Sequence, residues 1–254
     1  MRGGGAVSAV VSLKPISSVE TLAIMQPTFL PWAGYFALMD RVDRFVLLDD
    51  VQFDKRSWQQ RNRIKTANGP LWLTVPVLTK GRREQTIAEA QLNPDADFAS
   101  TALKTLEHAY AKAAYFAPVM DRIAPAFEAA GDGLCALNIA LIDALSGLIG
   151  VETERVRASD TPVESSKAQR LADLCAAHGA RRYLSPPGAR DYLDGDPALA
   201  EAGVALSYLT YDHPVWPQLH GSFEPHMSAL DLVMNALPDS LSILRSGVGV
   251  DAPG

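Results

Sequence analysis

The sequence predicts an α/β protein: an open, Rossmann-like parallel sheet with crossover helices and a helical insertion. Short apolar runs of strand length alternate with segments of helix length, and polar residues follow directly where several of these runs end. One long stretch in the middle of the chain shows helical periodicity only. Alternation of strands and helices favours a parallel sheet, because parallel neighbours need a long crossover connection that is usually a helix.

The first part of the chain contains three predicted strands and one predicted helix. The apolar runs at 22–25 and 45–48 have strand length, and the segment 32–41 between them has helix length. The run 71–77 is a third strand, with Pro76 near its end, where a missing backbone donor is tolerated.

Residues 97–150 form the predicted insertion. Apolar residues recur there at the three- and four-residue spacing of amphipathic helices, for example at Phe98, Ala102, Leu106 and Ala109. Pro118 and the Gly-Asp-Gly run at 131–133 separate this stretch into individual helices. We expect these helices to pack on or beside the sheet.

The alternation of strands and helices resumes after the insertion. The predicted strands are 155–158, 182–185 and 205–211. The predicted helix 165–178 ends at Gly179, because glycine readily takes the left-handed conformation that stops many helices.

Three parts of the chain follow from this pattern. Residues 1–20 are glycine-rich and then mildly apolar, and we interpret them as a flexible leader rather than a signal peptide. Residues 21–240 are predicted to form a single α/β domain with the helical insertion, and residues 241–254 a flexible tail.

Composition and charge exclude several classes of protein. The chain has 254 residues, 48% of them hydrophobic, and so can bury a substantial core. Its formal net charge of -6 argues against nonspecific nucleic-acid binding. No apolar run approaches the ~20 residues of a membrane-spanning helix. The only cysteines, Cys135 and Cys175, lie among apolar residues and are interpreted as buried hydrophobes of a cytoplasmic protein.

Polar residues follow the first two predicted strands. Gln26 and Pro27 come after the first strand, and Asp49, Asp50 and Gln52 come after the second. Ligands of open parallel sheets usually bind outside the carboxyl ends of the strands. Asp50 is the candidate catalytic carboxylate, and the other four are candidate substrate contacts. The alternative is that one aspartate caps a helix or pairs with a nearby arginine.

The turn that leads into the first helix is a candidate ligand-binding element. Gly34 would let the backbone approach a phosphate, and Tyr35 would donate a hydrogen bond to the ligand. Trp32 would line the same site. This turn bears a loose likeness to nucleotidyltransferases and pantothenate synthetases, although both histidines of their His-x-Gly-His signature are missing. The alternative is a rigid, well-packed turn.

The segment 51–65 interleaves cations, amides and aromatics. Arg61, Asn62, Arg63 and Lys65 offer donors suited to phosphate or carboxylate, and arginine can make a two-pronged bond. Arg61 and Lys65 share one face if this segment is helical. These residues are therefore candidate contacts to an anionic small molecule, with a solvated charged face as the alternative.

Two later loops provide further candidates. Ser185 and Gly188 follow a predicted strand, and we expect a hydrogen bond to substrate from the Ser185 hydroxyl or the Gly188 backbone. Ser185 is not in a Gly-x-Ser-x-Gly elbow, so a nucleophilic serine is not predicted.

The loop after the last predicted strand gathers three of the five histidines. His213 is the candidate general base, with Asp212 to orient it, and Gln218 is a candidate substrate contact. The histidines do not have the spacing of a helical zinc motif, so no metal site is predicted. The sequence identifies no cofactor.

With these motifs in view, the chain resembles the WbqC-like family over roughly residues 22–235. The resemblance lies in four blocks: 24–36; 48–53 continuing through 61–65 to 72–77; 183–193; and 213–218 continuing to 223–225 and 228–232. It implies a bacterial protein associated with surface-polysaccharide sugars, often those of O-antigen or capsule.

These observations lead to one main hypothesis. The protein modifies a nucleotide- or lipid-linked amino sugar by acyl or aminoacyl transfer or by amide formation. One alternative is a nucleotidyltransferase-like enzyme with a degenerate site, and another is a noncatalytic protein that binds sugars or nucleotides.

Overall fold

The computed structural model describes residues 19–129 and 131–251. Its strands are β1 (Thr21–Met25), β2 (Arg44–Leu47), β3 (Arg61–Thr66), β4 (Gly69–Thr74), β5 (Glu154–Arg157), β6 (Arg182–Ser185), β7 (Ala205–Tyr211) and β8 (Val248–Asp251). Its α-helices are α1 (Ala33–Met39), α2 (Phe98–Tyr110), α3 (Phe116–Ala129), α4 (Leu134–Ile149), α5 (Lys167–Ala177), α6 (Arg190–Leu193), α7 (Ala198–Glu201), α8 (Ala229–Ala236) and α9 (Ser240–Ser246).

The central sheet has six strands in the order β5-β2-β1-β6-β7-β8. The first five are parallel, and β8 runs antiparallel to β7. The predicted α/β class is therefore confirmed. Numbered along the chain, the six strands read 3-2-1-4-5-6, an order known from doubly wound α/β sheets.

The strand order reverses between β1 and β6. β1 pairs with β2 from Leu22 to Met25, but it pairs with β6 only through Thr21 and Leu22. The two strands therefore separate toward their carboxyl ends. Such a reversal point is where an open sheet usually forms its ligand crevice.

Helices cover both faces of the sheet. Ala23 and Met25 of β1 face the larger apolar core, which contains α1 and the insertion helices α2, α3 and α4. Leu22 and Ile24 face a second core, which contains α5 and α7. A parallel strand buried on both faces is apolar throughout, and this explains why β1 reads as a continuous hydrophobic run.

The predicted end of the helix at Gly179 is confirmed. Gly179 has φ 70°, and the next residue, Ala180, donates its N–H to the Cys175 carbonyl at 2.9 Å. This bond satisfies one of the last carbonyls of α5, as in the usual left-handed helix stop.

The predicted third strand is not part of the central sheet. β4 pairs antiparallel with β3 in a separate hairpin, and Pro76 lies beyond its end. Arg61 to Lys65, considered as a possible helix, form most of β3. Only two residues join the strands, a loop short enough for a hairpin but too short for a parallel crossover. Gly69, at φ 93°, completes this turn.

Residues 241–251 are not the flexible tail that the sequence predicted. They complete α9 and form β8, which pairs with β7 from Tyr208 to Tyr211. Arg245 of α9 also makes two hydrogen bonds of 2.8 Å to Asp40. Pairing with β7 at the edge of the sheet holds this segment in place. Such a tertiary contact cannot be recognised from local composition. The predicted flexible leader covers residues 1–20, and residues 1–18 lie outside the described part of the chain.

Two further features bear on the sequence predictions. Cys135 and Cys175 are buried free thiols, as predicted. In the part of the chain described, every helix is too short or too polar to cross a lipid bilayer.

Candidate functional site

A cleft of about 470 Å³ lies at the carboxyl end of β1, beside the reversal of strand order. The loop before α1, α1 itself, β3 and the loop from 212 to 228 supply its walls. The lining residues are Met25, Thr28, Trp32, Tyr35, Trp58, Asn62, Arg63 and His226. The mixture of aromatic rings, one guanidinium and a few polar groups is typical of small-molecule sites.

Trp32 forms one wall and is held by other rings. Its indole stacks on His213 with ring centroids 6.0 Å apart and planes 20° apart. Tyr211 meets its edge at 5.5 Å, and His226 lies at 5.6 Å. The indole therefore has a fixed position from which it can present its surface to a ligand.

Gly34 makes room for this indole. A Cβ on Gly34 would lie 2.3 Å from both Cζ2 and Cη2 of Trp32. The space that we expected to admit a phosphate is thus filled by the side chain of Trp32. Glycine is required here for close approach of a ring, since its φ is not in the left-handed region.

Gly34→Ala is expected to destabilise the protein by about 2 kcal/mol, because the overpacking cost exceeds the ~1 kcal/mol that alanine gains in a helix. Gly188→Ala is the matched control. It has no atoms near the added Cβ and should stay within about 0.5 kcal/mol of wild type. Urea denaturation measures both. Adding Trp32→Phe to Gly34→Ala should restore stability, and failure to do so would contradict the proposed clash.

Tyr35 lines the cleft, and hydrogen bonds hold the residues before the turn. The Tyr35 hydroxyl donates to the Gln26 carbonyl at 3.2 Å, and burial raises its pKa well above the ordinary value. Tyr35 is therefore a neutral phenol. The Gln26 side chain accepts a bond of 2.9 Å from Gln59, and the Pro27 carbonyl accepts one of 2.9 Å from Asn138.

Asn62 shapes the cleft through the chain before it. Its Nδ2 donates to the Leu30 carbonyl at 2.7 Å and to the Phe29 carbonyl at 3.3 Å. Leu30 has φ 43°, a conformation that a leucine rarely adopts. The buried amide of Asn62 thus holds a strained turn, and its contribution to a ligand site is to position that wall.

Arg63 brings positive charge into the cleft. Its Nη2 donates a long bond of 3.4 Å to the His226 carbonyl. Its Nε is buried without a hydrogen-bond partner among the described residues. A buried donor without a partner is costly, so this guanidinium is suited to an added anionic acceptor.

Arg61 lies on the same strand, outside the cleft. Its guanidinium carbon lies 4.5 Å from the ring centroid of Trp72, and Trp72 in turn lies 5.4 Å from Trp58. The two tryptophans are 43% and 51% exposed. Since Trp58 also lines the cleft, this exposed surface continues into it.

Lys65 is buried and is not part of the cleft lining. Its Nζ donates to the Gln218 Oε1 at 3.1 Å and to the Ser222 carbonyl. Gln218 also accepts a bond of 2.8 Å from the Glu224 backbone. Lys65 and Gln218, both predicted as substrate contacts, therefore hold the loop from 212 to 228 against β3.

A buried carboxylate supports the same loop. Asp231 accepts hydrogen bonds from Trp216 Nε1 at 2.8 Å and from the Tyr110 hydroxyl at 3.0 Å. Tyr110 accepts a bond from the Lys65 backbone. Burial raises the pKa of Asp231, although these two hydrogen bonds oppose the shift.

His213 has hydrogen bonds at both ring nitrogens. Its Nδ1 is 2.9 Å from the Pro214 carbonyl, and its Nε2 accepts the His226 backbone N–H at 3.1 Å. The ring is therefore neutral, consistent with a pKa that burial lowers. The two partners of the His213 ring do not include Asp212, which was predicted to orient it. The Asp212 side chain is exposed.

His226 lies over Trp32 with its side chain exposed to the cleft. Its backbone has φ 60°, which is uncommon for histidine. The bonds to His213 and Arg63 hold its N–H and carbonyl. His226 is the imidazole best placed to meet a ligand in the cleft.

The Asp49 carboxylate is fully buried in a cluster beyond the end of β2. Its Oδ2 accepts bonds from Arg157 Nε at 2.7 Å and from the Ser159 hydroxyl at 2.9 Å, and its Oδ1 accepts the Ser159 N–H at 3.0 Å. Cys135 lies 3.9 Å away, and burial above all raises the pKa of its thiol to about 12. A thiol with this pKa is not an effective nucleophile.

Asp50 points the other way, as expected for adjacent residues of an extended chain. It forms an ion pair with Arg170 of α5. The alternative that the aspartates pair with arginines is thus what the structure contains. Gln52 is exposed and donates to the Arg83 carbonyl at 2.9 Å.

Ser185 and Gly188 are also apart from the cleft lining. The Ser185 side chain is fully buried and its hydroxyl donates to the Pro186 carbonyl at 3.3 Å. Gly188 is exposed in a short 3-10 turn. Their predicted substrate contacts have no counterpart in the described cleft.

The structure thus brings three predicted site residues into the cleft lining: Trp32, Tyr35 and Asn62. The other five lining residues are Met25, Thr28, Trp58, Arg63 and His226. The sequence predicted Arg63 as a donor to an anion, but it did not assign Met25, Thr28 or His226 to the site. Arg63 and Trp58 lie within the mixed segment 51–65, and His226 is one of the three histidines in the loop after the last predicted strand. A recognised β3 strand would have placed Arg61 and Arg63 on one face.

Comparison with known proteins identifies one family and one similar protein. The sequence matches the WbqC-like protein family over residues 26–243. It is also 38% identical over 229 residues to "Uncharacterized protein Rv1507c" of Mycobacterium tuberculosis, an alignment that covers 89% of this chain and 98% of that protein. No solved structure matches the chain.

Proposed function

The chain belongs to the WbqC-like protein family, and we propose that it is an enzyme that binds an anionic amino-sugar derivative in the cleft. It modifies the amino group by acyl or aminoacyl transfer or by amide formation. The products serve bacterial surface polysaccharides such as O-antigen or capsule.

One observation supports the ligand class above all others. The cleft places the fixed indole of Trp32 near the Arg63 guanidinium, whose Nε is buried without a partner in the described chain. An indole suits the apolar face of a sugar ring, and a guanidinium suits a phosphate or carboxylate. A ligand with both features satisfies both walls at once.

The neighbouring histidines suit chemistry at an amine. The amine nitrogen attacks the carbonyl carbon of an activated acyl donor such as a thioester. The new C–N bond forms as the bond to the sulfur leaving group breaks, and the amine gives up a proton. His226 is the proposed acceptor of that proton. His213 is the proposed positioning residue, because its Nε2 holds the His226 backbone.

The nucleotidyltransferase alternative has less support. It needs the backbone at Gly34 to cradle a phosphate, and the Trp32 indole fills that space. A noncatalytic binding protein would use the same cleft without turnover. Mass-spectrometric screening of amino sugars with acyl and aminoacyl donors distinguishes the proposed enzyme from a noncatalytic binding protein, since only the enzyme yields an acylated product.

Arg63→Ala is expected to weaken binding of an amino-sugar 1-phosphate by about tenfold or more, because charge-assisted hydrogen bonds to a phosphate are lost. Titration calorimetry on both proteins measures this. Arg181→Ala is the control, since Arg181 is exposed next to the amino end of β6, at the opposite edge of the sheet. Equal affinity of the Arg63→Ala and wild-type proteins would contradict the assignment of the anion to this cleft.

A further inference from the structure

The β3–β4 hairpin and Trp58, three residues before it, present an exposed aromatic and cationic surface. We call Trp58, Trp72 and Arg61 the hairpin platform. The two indoles are 5.4 Å apart with planes 37° apart, and about half of each is exposed. Tryptophan is usually more buried than this. Two adjacent exposed indoles therefore indicate a binding surface.

Positive charge accompanies these rings. The guanidinium carbons of Arg61 and Arg63 lie 4.5 Å and 5.7 Å from the Trp72 centroid. These two arginines have no carboxylate within ion-pair distance in the described chain. The platform thus offers stacking surfaces and guanidinium donors together, a combination suited to an aromatic polyanion.

The platform and the cleft are one continuous surface. Trp58 belongs to both, and Arg63 reaches from the cleft toward Trp72. A ligand in the cleft that extends outward past Arg63 therefore meets the platform. The group that carries the sugar is the part of the substrate that lies there.

We infer that the hairpin platform binds the base and diphosphate of a nucleotide-linked sugar, whose amino sugar occupies the cleft. This inference rests on the proposed function and selects its nucleotide-linked form over a lipid-linked one. A nucleobase stacks on indole, and a diphosphate matches two guanidinium groups. An alkyl lipid chain would leave the arginines facing apolar groups.

Titration calorimetry with nucleoside diphosphates (UDP, dTDP and ADP) and with inorganic pyrophosphate tests the inference. At least one nucleoside diphosphate should bind more tightly than pyrophosphate. Trp72→Ala should weaken that binding by about tenfold or more and leave pyrophosphate affinity within a few-fold. Trp72→Phe should retain most of it, because a ring remains. Arg61→Ala should weaken the binding of both the nucleoside diphosphate and pyrophosphate.

Two further variants control for loss of an aromatic ring elsewhere and for unfolding. Tyr192→Ala removes an aromatic ring that is 55% exposed on α6, outside the platform, and should change neither affinity. Trp58→Ala provides a second stacking variant if Trp72→Ala unfolds, as monitored by thermal denaturation. Equal affinity for pyrophosphate and all three nucleoside diphosphates, or no effect of either tryptophan variant, would overturn the inference.

The outcomes also distinguish this inference from the proposed function. Binding of an amino-sugar 1-phosphate without binding of any nucleoside diphosphate would overturn the platform and leave the proposed enzyme in place. Binding of a nucleoside diphosphate with the expected variant effects, but no acylated product with any donor, would support the platform and refute the proposed reaction.

Discussion

Asp49→Ala is expected to lower the free energy of unfolding by about 3 kcal/mol, because it removes a buried acceptor from several donors. The N–H and hydroxyl of Ser159 lose their carboxylate, and Arg157 loses its ion pair. Arg157 is 43% exposed and regains some hydration, which keeps the cost below the upper end for buried ion pairs. Urea denaturation of both proteins measures the change.

Asp143→Ala is the matched control. Asp143 pairs at 2.7 Å with Arg155, which lies on β5 like Arg157, but the Asp143 side chain is 49% exposed. An exposed ion pair of this kind contributes about 0–1 kcal/mol. Equal destabilisation by the two variants would contradict a special role for burial at Asp49. Loss of ligand binding in a stable Asp49→Ala protein would instead support its predicted substrate contact.

Asp49 illustrates what the sequence could not supply. The strand end was predictable, because an apolar run of strand length followed by polar residues has a local signature. The partners of the carboxylate were not, because Arg157 and Ser159 lie more than a hundred residues along the chain. Long-range contacts decide whether a polar residue at a strand end faces a ligand or an internal ion pair.

The sheet itself was predictable to a greater extent. Residues 182–185 and 205–211 were predicted as strands with the bounds that the structure gives β6 and β7. Buried parallel strands are continuous apolar runs that end in loops, and crossover helices separate them. The antiparallel β8 was missed, because it is a short edge strand whose pairing with β7 is a tertiary contact.

The β3–β4 hairpin was not predicted, and this affected the prediction of the site most. Residues 61–65 are mostly polar, and no apolar alternation marks them as a strand. Lys65 was grouped with Arg61 as an anion contact, yet it is 2% exposed. The chain at 212–228, far away in sequence, folds over Lys65, whereas Arg61 and Arg63 stay partly exposed. The two arginines and the buried lysine could not be told apart without that loop.

His226→Asn is expected to lower the turnover number about 10²–10⁴-fold, the usual effect of removing a general acid or base. Asparagine tolerates the positive φ of this position better than alanine, so the backbone is retained. His108→Asn is the control, because His108 is an exposed histidine on α2. The assay requires the amino sugar and acyl donor found by the mass-spectrometric screen.

His213 distinguishes proton transfer from positioning. His213→Ala should also lower turnover, because the His226 N–H loses its acceptor. His213→Gln should restore much of the activity, since an amide oxygen can accept that N–H but cannot serve as a base at neutral pH. Wild-type turnover in His226→Asn, or no rescue by His213→Gln in a folded protein, would move the base to His213 itself. A bell-shaped pH profile retained in His226→Asn but lost in His213→Gln would support that assignment, because only a titrating group at 213 would then account for the proton transfer.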